Sequence, residues 1–166
     1  MLLRIFLAMI AVGLFIPAKL LLPGATAKVV EQGVKAGEQR SNSKAAKEIT
    51  ALVAKSEKSW NKGDLDAFMS DYLYSNQLTY VSNGTVKRGY KEIHDHYVDR
   101  YGKSKASMGQ LFLTDLEISD LSDKHVLCIG KFTVVHHSHV PIYGRFSLIY
   151  VLTKEGWKIM YDHSSQ

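Results

Sequence analysis

Histidine side chains are the groups in this sequence best suited to exchange protons near neutral pH. His163 follows Asp162 close to the end of the chain, and His136 opens the tract His136–His139. A histidine with an ordinary pKa of about 6.5 can act as a general acid or base. Neighbouring residues on a strand face opposite ways, so Asp162 is not expected to orient His163. His163 and His136 are therefore the candidate catalytic residues, with a structural or ligand-binding role as the alternative.

The other groups that could ligate a metal or act as nucleophiles are poorly arranged for it. In the tract His136–His139, two ligands two residues apart without a nearby carboxylate match a zinc site poorly. His94 and His96 would not face each other on a helix. Cys128, the single cysteine, lies in an apolar run and is expected to be a buried small hydrophobe. The sequence thus predicts no metal and no cofactor.

The first 27 residues carry the pattern of a cleavable signal peptide. One positive charge in Met1–Arg4 precedes the apolar run Ile5–Ile16, and Ala25–Ala27 supplies the small residues that signal peptidase accepts. Pro17 and Lys19 interrupt the run before it reaches the roughly 20 residues of a spanning helix. We therefore expect export to the periplasm or the extracellular space, with an uncleaved membrane anchor as the alternative.

The remainder of the chain is expected to contain one domain. Residues 28–44 are polar and lack an apolar period, which predicts a flexible linker, and residues 45–166 form the domain. No stretch after the signal peptide is apolar enough to predict stable membrane insertion. The net charge of the whole chain is +5, and its basic residues are scattered. Since no basic stripe is formed, nucleic acid is not an expected partner.

Apolar residues at helical spacing predict three helices at the start of the domain. The first begins after Ser43, a suitable N-cap, and carries an apolar stripe along Ile49–Trp60. Asp64 caps the second helix, and the third follows Gly89. Between the second and third helices, Asn83-Gly84 is a strong signal for a two-residue hairpin turn.

After the third helix the apolar period becomes alternating, which predicts strands. Short turns between them favour an antiparallel meander. The order of helices followed by strands indicates an α+β domain with helices on one face of the sheet. The four predicted strands are Leu111–Ile118, Lys124–His136, Tyr143–Thr153 and Trp157–His163.

Alternation within the strands assigns a mixed set of side chains to the inner face. If Glu155-Gly156 is the last turn, Trp157 lies opposite Lys154, and Tyr161 and His163 point inward. An inner face with many tyrosine and histidine tips predicts a concave, mostly apolar pocket; a closed core is the alternative. The predicted pocket residues are Tyr80, Tyr97, Phe132, His136, Phe146, Tyr150, Tyr161 and His163.

Three segments of the sequence resemble SnoaL-like domains. Trp60–Leu65 is similar to the W-x-x-G-D signature that opens many of them. Ser82–Gly84 with Lys87–Ile93 resembles their D/N-G and R-G-x-x-x-I segment. Gly156–Ile159 with Asp162–Ser165 resembles their last strand. These domains belong to the nuclear transport factor 2-like superfamily, which has a cystatin-like fold and includes the ketosteroid-isomerase-like proteins.

The resemblance implies a cone-shaped fold, in which a curved, mixed sheet wraps around helices and encloses a cavity. It also implies a homodimer, because these domains often pair through the outer face of the sheet. Ketosteroid isomerases carry one acid just before the glycine of the first hairpin and another on the penultimate strand. Here those positions hold no carboxylate, since the sequence has Tyr80–Asn83 and Leu148-Ile149. Their oxyanion-holding tyrosine corresponds at best to one such as Tyr72.

Three functions remain open on the sequence alone, because the fold does not determine function. The first is a module that binds an apolar or weakly polar small molecule without demonstrated catalysis. The second is an isomerase, dehydratase or hydrolase that uses a pocket histidine as acid and base. The third is a dimerising interaction module.

Overall fold

Four helices and six strands make up residues 42–136 and 140–166, the part of the chain that this computed structural model describes. The signal peptide and most of the linker predicted above lie outside the described residues. The helices are α1 (Lys44–Lys62), α2 (Leu65–Met69), α3 (Tyr90–Tyr101) and α4 (Lys105–Met108). The strands are β1 (Thr79–Ser82), β2 (Thr85–Arg88), β3 (Gln110–Ser122), β4 (His125–Val135), β5 (Ile142–Thr153) and β6 (Gly156–Ser165).

The ends of α1 and α2 form where the local sequence predicts them. The Ser43 side chain accepts a hydrogen bond from the backbone N–H of Ala46 at 3.0 Å, which caps α1. Asp64 caps α2 in the same way through the N–H of Ala67, at 2.9 Å. The apolar stripe of α1 is buried, with Ile49 fully enclosed. The short helix α4 was not predicted, because a single turn leaves no apolar period to detect.

The six strands form one curved sheet in the order β2-β1-β6-β5-β4-β3. All neighbours are antiparallel except β1 and β6, which run parallel. The predicted hairpin turn connects β1 to β2, since Ser82 pairs with Thr85. Asn83 and Gly84 have φ angles of 49° and 73°, the left-handed conformation that a type I′ turn requires at both positions. This confirms the α+β architecture that the sequence predicts, a mixed sheet with helices on its inner face.

The pairing of β6 with β5 differs from the prediction along the whole strand, and the faces of its side chains differ in the second half. The turn is Lys154-Glu155, so Trp157 lies opposite Leu152 and Ile159 lies opposite Tyr150, still on the inner face. Beyond Ile159 a β-bulge inserts one extra residue, and Tyr161 then pairs with Ile149.

Because side chains alternate along a strand, one inserted residue reverses every face after it. Asp162 therefore points inward opposite Leu148, whereas Tyr161 and His163 point outward. The prediction that Tyr161 and His163 belong to the inner face is wrong.

Candidate functional site

A cavity of about 140 Å³ lies between the helices and the inner face of the sheet. At its floor, Tyr150 and Asp162 are 1% and 3% exposed. At its mouth, Asn83 and Arg100 are exposed to solvent. Most of the wall is aromatic or aliphatic, including Val53, Trp60, Phe68, Leu113, Phe132 and Leu148.

The polar floor of the cavity is placed by direct strand pairing. Asp162 of β6 lies opposite Leu148 of β5 on one side and opposite Tyr80 of β1 on the other. Directly opposed residues share a face, so these three side chains form a row across the sheet. Gly130 of β4 leaves room for the ring of Phe146 in the cavity wall, since a Cβ at Gly130 would lie only 2.5 Å from that ring.

Asp162 is buried, and it accepts hydrogen bonds from hydroxyl groups. Tyr72 donates a hydrogen bond to Asp162 Oδ2 at 2.8 Å, and Ser164 donates to Oδ1 at 3.0 Å. The hydroxyls of Tyr72 and Tyr97 are 3.3 Å apart. No basic nitrogen of the described residues lies within 4.0 Å of the Asp162 carboxyl oxygens. This acid–hydroxyl cluster comprises Asp162, Tyr72, Tyr97 and Ser164.

The acidity of the cluster is set mainly by burial. Burial raises the pKa of Asp162 above its usual range, and the hydrogen bonds from Tyr72 and Ser164 and the charge of His163 offset this only in part. Burial, followed by the negative charge of Asp162, also raises the pKa of Tyr72 and of Tyr97 well above the ordinary value. Both tyrosines therefore remain protonated, and Asp162 exchanges its proton at a higher pH than a solvated aspartate.

Tyr150 adds a further polar atom at the floor of the cavity. Its pKa is raised well above the ordinary value, first by burial and then by the charges of Cys128, Asp71 and Asp162. The residue is only 1% exposed and lines the cavity. A tyrosine hydroxyl both donates and accepts hydrogen bonds, so it can pair with a polar group of a molecule in the cavity.

Six of the eight predicted pocket residues line this cavity. They are Tyr80, Tyr97, Phe132, His136, Phe146 and Tyr150. His136 Nε2 lies 3.3 Å from the backbone oxygen of Ser107. Tyr161 and His163 are absent from the cavity because the bulge turns them outward, and His163 is exposed. His163 is therefore withdrawn as a candidate acid or base.

Sequence reasoning missed Asp162 as a residue of the cavity. Ketosteroid isomerases carry an acid on the penultimate strand, where this chain has Leu148. The structure places a carboxyl directly opposite that leucine, on the last strand. The only available signal was the run of three consecutive apolar residues Ile159–Tyr161, which breaks the alternation without locating a bulge.

The remaining reactive groups of the described residues are inert or unclustered. Cys128 is fully buried, and burial raises the pKa of its thiol to about 12. Within residues 42–136 and 140–166, no three histidine, cysteine, aspartate or glutamate side chains are grouped as a metal site. His137–His139 lie outside the described residues. No helix in the described part of the chain is long and apolar enough to cross a membrane.

The curved sheet, the covering helices and the enclosed cavity define a nuclear transport factor 2-like domain with the cystatin-like fold. The sequence model of the SnoaL-like domain matches residues 49–166. The chain therefore belongs to the SnoaL-like family, as the motifs around Trp60 and Trp157 indicate.

Solved structures agree with this assignment. An NTF2-like protein of unknown function from Shewanella oneidensis MR-1 is 33% identical over 72% of this chain and 98% of its own, with a TM-score of 0.68. An NTF2-like superfamily protein from Salmonella enterica is 21% identical over 75% of this chain and 92% of its own, with a TM-score of 0.60. A protein of unknown function with a cystatin-like fold from Nostoc punctiforme is 12% identical over 71% and 87%, with a TM-score of 0.57. Among proteins with curated descriptions, none matches this chain.

Proposed function

We propose that this domain binds a small, apolar or weakly polar organic molecule in its cavity. The observation that carries the proposal is an aromatic cavity whose floor holds the buried tyrosine Tyr150 and a buried acid, Asp162, that accepts hydrogen bonds from hydroxyl groups. Ligand sites are typically apolar with a few convergent polar groups. A carbonyl or hydroxyl group on the ligand would accept a hydrogen bond from Tyr150.

The cavity volume limits the enclosed part of the ligand. About 140 Å³ is close to the volume of an engineered cavity that holds benzene, and it is smaller than the roughly 300 Å³ of an ordinary ligand site. A single ring fills the enclosed space. Any larger ligand extends through the mouth between α3 and the end of β1.

Binding is tested by isothermal titration with neutral single-ring probes, namely benzyl alcohol and acetophenone. We expect both to bind wild type, and Tyr150→Phe to weaken acetophenone by about five- to tenfold through loss of one hydrogen bond. Tyr74→Phe is the matched control because Tyr74 is 86% exposed and lies outside the cavity lining. Lack of binding by both probes would disprove the proposal. Native mass spectrometry of the purified protein then identifies a retained ligand.

Acid–base catalysis at the same site is the second candidate function, and the environment of Asp162 favours it. A carboxyl with a raised pKa is a stronger base when ionised than a solvated aspartate, so it can take a proton from a ligand and return it. Tyr72 and Tyr97 stay protonated and can donate to a developing oxyanion. This function assigns the acid–base role to Asp162 rather than to a histidine.

Catalysis is tested by exchange of the methyl protons of acetophenone in D2O. Ionised Asp162 removes a methyl proton, the electron pair moves to the carbonyl oxygen as an enolate, and a deuteron is returned to carbon. Asp162→Asn is expected to slow the exchange by about 100-fold or more. Asp120→Asn, at an exposed residue of β3, serves as the control. If wild type exchanges no faster than buffer, the binding function stands without catalysis.

A homodimer through the outer sheet face is also part of the proposal. Phe112, Thr133 and Tyr143 form a row on that face across three strands, with Phe112 and Tyr143 41% and 71% exposed. Light scattering is expected to give a dimer for wild type and a monomer for Tyr143→Glu. Tyr74→Glu, an exposed tyrosine elsewhere, should leave the dimer intact.

The export proposal concerns residues 1–27. N-terminal sequencing of protein secreted by a bacterial host should begin at Lys28 or within a few residues of it. Recovery of the full-length chain in the membrane fraction would contradict cleavage and support the anchor.

A further inference from the structure

The cavity has a basic side chain at its mouth and an acidic side chain at its floor. Among the described residues that line it, Arg100 is the single lysine or arginine and Asp162 is the single aspartate or glutamate. Asp162 lies at the buried floor, where both of its oxygens accept hydrogen bonds. Arg100 lies at the exposed mouth. A ligand that enters ring-first would leave its far end beside the guanidinium.

Arg100 has no anionic partner within the described part of the protein. No carboxylate there lies within 4.0 Å of its guanidinium nitrogens. Lys87, which like Arg100 acts on His96, pairs with Glu92 at 3.7 Å. Among the described residues that line the cavity, Arg100 is therefore the cation that can bind an anionic group of a ligand.

The guanidinium is held in place by an aromatic ring. Arg100 Cζ lies 5.5 Å from the centroid of Tyr101, a cation–π distance. The Tyr101 ring is packed edge-on against Trp60, with centroids 4.8 Å apart. A side chain positioned before binding loses less conformational freedom when the ligand arrives.

The positive charge of Arg100 acts on two ring-bearing side chains, His96 and Tyr80. Burial lowers the pKa of His96, and the charges of Lys87 and Arg100 lower it further, against weaker opposing contributions from Asp99 and Glu92. The positive charge of Arg100 also acts on Tyr80, a cavity residue. A cationic side chain at the mouth favours an anion over a cation there.

We infer that the enclosed, apolar part of the ligand is a ring and that its exposed end is a carboxylate, which pairs with Arg100 at the mouth. The planar fork of arginine matches the two oxygens of a carboxylate and can hold both. This inference rests on the proposed binding function, because it requires the cavity to be occupied. It adds the chemical class of the ligand and the residue that selects it.

The test uses matched probes that differ only in charge: phenylacetate, 3-phenylpropionate and 5-phenylvalerate, each beside its neutral amide. Titration at low salt should show that at least one carboxylate binds about three- to tenfold more tightly than its amide. The chain length with the largest preference reports the span from floor to mouth. The preference should shrink at high salt, because screening weakens an exposed pair.

Variants separate the charge of Arg100 from its packing. In Arg100→Gln the preference for the carboxylate should disappear while the amides bind as before. Arg100→Lys keeps the charge without the fork and should retain part of the preference. Lys103→Gln removes the same charge from an exposed residue outside the cavity lining and should change nothing.

The outcomes distinguish the two proposals. If the amides bind and the carboxylates bind no better, or if Arg100→Gln keeps the full preference, the carboxylate inference is overturned and the binding function stands. If neither amides nor neutral ring probes bind, the binding function fails and this inference fails with it.

Discussion

Two aspartates of this domain are equally buried, at 3% exposure each, yet they have different surroundings. Asp71 accepts from Lys55 Nζ and from Ser56 Oγ, both at 2.6 Å. Asp162 accepts only from hydroxyl groups and faces the cavity. A cation beside a buried carboxylate compensates its charge, whereas burial among hydroxyls in an apolar cavity raises the pKa of Asp162.

The comparison indicates where stability and function are located. Asp71 joins α1 to the segment before β1, and its backbone oxygen accepts from the N–H of Ile159 at 2.9 Å. It therefore connects a helix, a loop and the last strand. Asp162 is bonded to hydroxyl groups rather than to a cation, and its raised pKa makes it the better candidate for proton exchange. We assign a structural role to Asp71 and the candidate functional role to Asp162.

The largest expected effect is on stability, in Asp71→Ala. Loss of this carboxylate leaves the buried Ser56 hydroxyl without its acceptor, and the free energy of unfolding should fall by about 2–4 kcal/mol in urea melts. The loss in the free energy of unfolding is smaller than for a fully buried ion pair because the Lys55 side chain is 53% exposed. Asp66→Ala, at a side chain that is 93% exposed, is the control and should change stability by less than about 1 kcal/mol. If Asp71→Ala unfolds at the same urea concentration as wild type, the structural role assigned to Asp71 is wrong.

The second effect is the pH dependence of stability in Asp162→Asn. The folded-state pKa of Asp162 is raised above its unfolded value of about 3.9, so the folded state binds its proton more tightly. As pH rises from about 4 through the folded-state pKa, wild type must lose stability relative to the variant, which carries no ionisable group there. Urea melts of both proteins at intervals from about pH 4 to pH 8 measure the gap. A wild type that gains stability relative to the variant as the pH rises would mean that the pKa is lowered instead.

The third effect concerns Tyr72→Phe, which removes one hydrogen bond from Asp162. That hydrogen bond lowers the pKa of Asp162, so its loss should raise the pKa further. The midpoint of the Asp162 carboxyl carbon shift, followed by NMR against pH, should move upward. Stability should fall by about 1 kcal/mol. Tyr74→Phe, at an exposed ring, should leave the midpoint unchanged.

The smallest effect is expected for His163→Ala. This side chain is exposed on the outer face of the sheet, one residue from Asp162. Binding of acetophenone should change by less than about twofold, and stability by less than about 0.5 kcal/mol. A loss of binding as large as that of Tyr150→Phe would restore the register without the bulge and overturn the assignment of Asp162 to the cavity.

Local chemistry in the sequence determined most of the elements. Ser43 and Asp64 cap helices where their side chains can reach free N–H groups, and Asn83-Gly84 supplies the two left-handed residues of a hairpin turn. These signals depend on neighbouring residues, so they can be recognised without knowledge of the fold. The alternation of β4 and β5 likewise placed Phe132, Phe146 and Tyr150 along the cavity.

The tertiary structure alone decided the second half of β6 and, with it, the floor of the cavity. The N–H of Ile159 donates to the backbone oxygen of Asp71 at 2.9 Å, and the backbone oxygen of Ile159 accepts from the N–H of Leu73 at 2.8 Å. The strand then bulges before it pairs with β1. The partner that holds Asp162 inward, Tyr72, is 90 residues away in sequence. Because strand alternation has a period of two, this one inserted residue exchanged His163 for Asp162 in the cavity. No pattern within β6 encodes a choice that depends on contacts made so far along the chain.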